Sequence, residues 1–155
     1  MARLIFISLL VSLSLAASTF QLEEVEKVPI YRMKDVTIES KEDPNSQEMW
    51  VVGHFQSDKI IVKEGRFGDR KREGEGADGY WVQVFTFISG ARVGETTPVE
   101  FWYLKPHFAE QYFNDPNAYA EVHGKTPKIK IIEFEVKASE DTEKAAEKAT
   151  EKPDL

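Results

Sequence analysis

The stretch Val99-Glu100-Phe101-Trp102-Tyr103-Leu104-Lys105-Pro106, V-E-F-W-Y-L-K-P, sets three different aromatic residues side by side in a chain with only three tryptophans. Read as a strand, it sends neighbouring side chains to opposite faces. Phe101 and Tyr103 then share a row with Val99, while Trp102 joins Glu100 and Leu104 on the other side. The three rings cannot form one platform. Either both rows are buried, or one row packs and the other, led by Trp102, meets a partner. Burial is the economical reading, and it obliges Trp102 and Tyr103 to find partners for their polar ends.

Strand patterns recur on either side of this stretch. Residues 81–88, W-V-Q-V-F-T-F-I, are β-branched and aromatic with two apolar rows, Val82, Val84 and Ile88 against Trp81, Phe85 and Phe87, as in a central strand covered on both faces. Residues 49–55 and 59–63 read as a hairpin joined through Gln56-Ser57-Asp58, and residues 36–40 alternate. In 128–137 the apolar phase changes from Ile129 and Ile131 to Ile132, Phe134 and Val136, which predicts a bulge or a change of buried face. Two short helices are expected. Pro106 opens a turn running to Phe113, and Asp115 is a good N-cap for a segment from Pro116 to Gly124.

Six or seven short strands and too few helices to cover a parallel sheet predict an all-β fold. The expected architecture is an antiparallel β-sandwich, immunoglobulin-like or similar, with one or two short helices. The alternative is an α+β arrangement, a curled sheet packed on a helix drawn from 22–28 or 106–122.

The chain ends frame this domain. Residues 1–18 carry Arg3 as their only charge, an apolar run from Leu4 to Leu15, and the small residues Ala16, Ala17 and Ser18. That is the pattern of a cleaved secretory signal, and the run is shorter than the roughly 20 residues of a membrane span. A single β-rich domain is expected over 19–137, with no membrane span after cleavage. Residues 138–155 are rich in Glu and Lys, with no aromatic residue and no branched apolar one before Leu155; such a tail cannot bury a face. The last four residues, Lys152-Pro153-Asp154-Leu155, resemble the K-D-E-L retrieval signal of the endoplasmic reticulum, departing from it at Pro153 and in having Asp for Glu. Secretion is the first expectation for location and the lumen of the endoplasmic reticulum the second.

Composition narrows the chemistry. The 27 acidic and 20 basic residues give a net charge of −7, which disfavours nucleic acid and anionic membrane as partners. With no cysteine, thiol nucleophiles, disulfides and cysteine-zinc sites are excluded. The three histidines, His54, His107 and His123, fall in no hydrolase or metalloprotease motif. His107, Glu110 and His123 have a spacing that would let two short helices hold a metal, the only candidate centre of that kind. The segment 63–79 holds five glycines (65, 68, 74, 76 and 79) and reads as a long charged loop in which Arg70, Lys71 and Arg72 are candidates to contact an acidic partner.

No cofactor is implied. The function expected first is a non-catalytic binding module of the secretory pathway, with a protein or small-ligand partner. A carrier enclosing a small apolar ligand comes next, and a carboxylate- or metal-dependent enzyme after it. The carrier and the module differ in whether the aromatic rows interdigitate or line an empty volume. The mature chain is expected to begin at Ser18 or Thr19. Intact mass of the secreted protein checks this, and a product retaining residues 1–15 would contradict it.

Overall fold

In the computed structural model, residues 18–138 are described. The leader, Ser18 excepted, and the tail, Ala138 excepted, with its Lys152-Pro153-Asp154-Leu155 ending, lie outside them. Period-two rows become strands wherever the sequence carries them. They are β1 (Ser18–Gln21), β2 (Lys27–Tyr31), β3 (Val36–Lys41), β4 (Met49–Phe55), β5 (Ile60–Val62), β6 (Asp69–Glu73), β7 (Tyr80–Ser89), β8 (Thr96–Leu104) and β9 (Lys128–Lys137). Between β8 and β9 come a short 3-10 turn (Pro106–Phe108) and two helices, α1 (Ala109–Asn114) and α2 (Pro116–His123). The fold is mostly β, in two sheets with two short helices.

One sheet runs β1-β3-β7-β5, with β6 also paired to β7, and the other runs β2-β9-β8-β4. Their facing rows share a core. Val36, Ile38, Phe85 and Phe87 of the first sheet meet Val28, Ile30, Val52, Val99, Phe101, Ile132 and Phe134 of the second. The rings interlock: Phe85 and Phe87 stand edge-on to Phe101 at 5.4 and 6.0 Å, and Phe87 tilts against Phe134 at 4.9 Å. Aromatic pairs in such geometry add to their area burial. The two rows thus interdigitate between the sheets.

The second row of β8 serves a different core. Trp102 and Leu104 point away from the first sheet and, with Val51 of β4, are covered by Ala109, Tyr112 and Tyr119 of the helices. Trp102 is fully buried, edge-on to Tyr112 at 4.7 Å, and its indole N–H donates to Glu100 at 2.6 Å. Gly53 lies against the same indole, where a Cβ would collide with the ring. The helices are held by the expected chemistry. The Asp115 carboxylate accepts from the Asn117 and Ala118 amides at 3.1 and 3.0 Å, Pro116 opens α2, and Gly124 closes it at φ 69°.

Several expectations are corrected. The sheets are not purely antiparallel: β1 pairs with β3 and β2 with β9 in parallel. The chain passes from one sheet to the other after β1 and back after β2, so consecutive short strands never meet and each takes a free edge. The stretch 22–28 supplies no helix, since β2 begins at Lys27. The hairpin expected from 49–55 and 59–63 does not form. β4 pairs with β8 and β5 with β7, because β4 is buried on both faces and must lie beneath the helices. The β9 phase change involves no bulge: pairing with β8 runs unshifted from Tyr103↔Lys128 to Thr96↔Glu135. Ile129 and Ile131 instead lie on the outer face beyond the helical cover, 45% and 52% exposed.

Trp102→Ala and Phe85→Ala should each cost about 3–5 kcal/mol, since each empties a fully buried ring position. Urea unfolding of the two variants checks this. A Trp102→Ala protein with an unchanged midpoint would contradict the second core.

Candidate functional site

Four connections leave the sheets toward the same end; residues 22–26, from β1 to β2, stop short of its tip, since Gln21 lies opposite Glu39 and Lys27 opposite Glu133, and the other three reach it. Residues 42–48 carry the chain from β3 across to β4. Residues 74–79 join β6 to β7, and residues 105–127, with both helices, join β8 to β9. The register sets this convergence, since Lys41 lies opposite Val82, Glu73 opposite Tyr80, Met49 opposite Leu104 and Tyr103 opposite Lys128.

Behind these loops a buried polar contact joins the sheets. Gln83 of β7, 2% exposed, accepts from the Trp50 amide at 3.0 Å and donates to the Trp50 carbonyl at 2.9 Å. Trp50 is at the edge of its sheet, with no neighbouring strand beyond β4, and the Gln83 amide stands in for one. A side-chain amide satisfies both groups at once because it carries one acceptor and two donors.

The 42–48 loop is fixed by short polar contacts. Asp43 accepts from the Asn45 amide through its side chain at 2.9 Å and from the Ser46 amide through its carbonyl at 3.1 Å. Ser46 Oγ accepts from the Glu48 amide at 3.1 Å and from the Tyr103 hydroxyl at 3.2 Å, the partner that Tyr103 required. Lys125, just before β9, donates to Glu48 at 2.7 Å, and this contact raises the Lys125 pKa above its ordinary value. Glu23 and Ser40 hydrogen-bond at the base of the same end. A cleft of about 310 Å³ lies on one side of the loop, walled by Trp50, Tyr103 and Lys128. Another of about 440 Å³ lies on the other side, walled by Pro44, Arg70, Arg72, Tyr80 and Trp81.

The sequence-derived candidates fall in different places. Arg70, Lys71 and Arg72 belong to a strand, β6, and not to a loop. Arg70 clasps Glu42 through two bonds of 2.7 Å, and Lys71 pairs with Glu39 and Glu73. In both cases the hydrogen bonds to carboxylates raise the pKa of the cation. Trp102 is core. His107 and His123 flank the Phe108 ring at 4.1 and 4.4 Å, and His123 bonds Gln111 at 3.2 Å. Among the described residues no group of three or more His, Asp or Glu could hold a metal. His107, Glu110 and His123 thus do not converge as the sequence suggested, because the histidines pack against aromatic rings. The turn at Pro106 was read from the sequence, but the loop 42–48 was missed; P-N-S at 44–46 marks a turn but says nothing of its neighbours.

No family model matches the chain, and no curated protein matches it. Among solved structures, the chain is similar to the cysteine protease inhibitor EhICP2 from Entamoeba histolytica, with 13% identity and a TM-score of 0.50 over 78% of this chain and 95% of that one. It is also similar to amebosin, with 15% identity and a TM-score of 0.46 over 79% and 99%. PbICP-C, solved in complex with falcipain-2, gives 10% identity and a TM-score of 0.41 over 78% and 100%. The first of these likenesses establishes a shared fold. No described helix is long and apolar enough to cross a membrane.

Gln83→Leu should remove about 2–6 kcal/mol, because it strands two buried backbone groups of Trp50 at about 1–3 kcal/mol each. Denaturant unfolding and the hydrogen exchange of the Trp50 amide check this, and an unaltered exchange rate would contradict the bridging role.

Proposed function

We propose that the chain is a non-catalytic protein-binding module whose partner is a cysteine protease, and that its two sheets form an immunoglobulin-like β-sandwich elaborated by the helical pair. The observation that carries the reading is the convergence of three loops at one end of a fold shared with a cysteine protease inhibitor along 95% of that inhibitor's length. Protease active sites are clefts, and a blunt inhibitor blocks a cleft by entering it with segments that protrude. In this reading residues 43–46, 76–78 and 105–107 enter the cleft. Blocking requires no nucleophile and no metal.

Affinity in such a contact depends on how little the loops must be ordered on binding. The 42–48 loop is tied by Asp43, Ser46 and Tyr103, the 74–79 turn by the Gly79 amide on the Gly76 carbonyl at 3.3 Å, and the 105–108 turn by the Phe108 amide on the Lys105 carbonyl at 2.9 Å. These ties need no disulfide, in keeping with the absence of cysteine. The signal pattern at 1–18 supports a place in the secretory pathway. Release from the cell is proposed as its destination, with the Lys152-Pro153-Asp154-Leu155 ending supporting lumenal retention as the alternative.

The test is titration of papain with the mature chain. Stoichiometric inhibition at micromolar protein is expected. Replacing Pro44 and Asn45 together by glycines should weaken it by about tenfold or more, equivalent to about 1.4 kcal/mol, with the unfolding midpoint close to wild type. Papain left fully active, or a loop variant as potent as wild type, would overturn the reading.

A further inference from the structure

The cleft between the 42–48 loop and the β6–β7 turn has an aromatic and basic lining. Trp81 lies there, 41% exposed, with Tyr80 beside it at 37%. Two guanidinium groups stack on Trp81, Arg70 at 4.5 Å and Arg72 at 5.8 Å from the ring centroid. They are not equivalent. Arg70 is paired with Glu42, and Lys71 between them with Glu39 and Glu73. Arg72 has no carboxylate partner among the described residues, and its one hydrogen bond goes from Nη2 to the Gly76 carbonyl at 2.9 Å.

That bond and its surroundings hold the Arg72 fork in place. A Cβ at Gly79 would stand 2.6 Å from Nη2, so the missing side chain is what lets the guanidinium lie flat against the turn. Trp81 supports it from the side. A guanidinium has five N–H donors in a rigid plane suited to a carboxylate, and Arg72 lines the cleft with one of its hydrogen bonds made. Tryptophan, tyrosine and arginine gathered beside a protruding loop are also the residue types that dominate binding energy at protein interfaces.

We propose that Arg72 is a fixed receptor for a carboxylate side chain, Asp or Glu, that a protein partner presents with an adjoining apolar residue lying on Trp81. This rests on the protein-binding reading and names the partner chemistry of one of its clefts. Arg70 and Lys71, already neutralised, orient the strand and do not bind the carboxylate.

The experiment uses the folded chain and a peptide probe, so that its outcome does not depend on papain. The Arg72 Nε–H and Trp81 indole N–H resonances are followed by NMR while acetyl-Leu-Asp-Glu-Leu-amide is added, with acetyl-Leu-Asn-Gln-Leu-amide as the neutral control. Both resonances should move with the acidic peptide, saturating with a dissociation constant on the order of 1 mM, as expected for an isolated contact. The neutral peptide should bind about tenfold more weakly, and Arg72→Gln should lose a similar factor. Unmoved resonances, equal shifts with both peptides, or a shift at Arg70 without one at Arg72 would overturn the proposal. Peptide binding without papain inhibition would remove the inhibitor reading and keep Arg72; inhibition without peptide binding would do the reverse.

Discussion

β8 has no solvent face along its aromatic stretch, and the rest of the architecture answers that constraint. Its side chains alternate at a period of two, so a run of large apolar residues needs cover on both sides. Phe101 and Val99 receive it from the other sheet, Trp102 and Leu104 from the helices. The helical insertion is therefore the lid that β8 demands. Gly53 belongs to the same requirement, because the Trp102 indole rests where a side chain on β4 would otherwise be.

The end of the molecule where the loops gather is built from a different kind of contact. Its links are polar and short in range: Gln83 to the Trp50 backbone, Ser46 to Tyr103, Glu42 to Arg70, Glu48 to Lys125. Exposed ion pairs contribute little to stability singly. Their value here is geometric, since each joins two segments distant in sequence and fixes one loop relative to another. The buried Gln83 contact carries more, because water cannot replace either of its bonds.

What the sequence revealed and what it hid follow the range of the signals. β3, β9, the central place of β7, the Asp115 cap and the Gly124 stop are written in neighbouring residues and were read correctly, whereas the cover expected on both faces of β7 is absent at Trp81, 41% exposed, and partial at Val84 and Ile88. Pairing partners are not local, and so β4 and β5 were joined as a hairpin although they belong to different sheets. β6 was hidden because D-R-K-R-E has no apolar residue; it is a strand through its ladder to β7 and the cross-strand pairs of Lys71. Ile129 and Ile131 suggested a bulge or a change of buried face because exposed isoleucines are hard to distinguish from buried ones in a list of letters. At the site, the cations of β6 were seen, but which of them already had partners depended on Glu39 and Glu42, about 30 residues upstream.

The parallel pairing of β2 with β9 has a consequence for how the domain assembles. Lys27 lies beside Glu133 and Tyr31 beside Lys137, so the second sheet joins nearly the first residues described to nearly the last. β3, β7, β5 and β6 can find one another within the first 89 residues. The other sheet stays open at one edge until β9 is in place. Contacts of such long range slow folding, because the entropy of closing the loop is lost before the contact is gained. The β8–β9 ladder closes over a shorter span than β3–β7, so it is the docking of β2 on β9 that bears this cost in full.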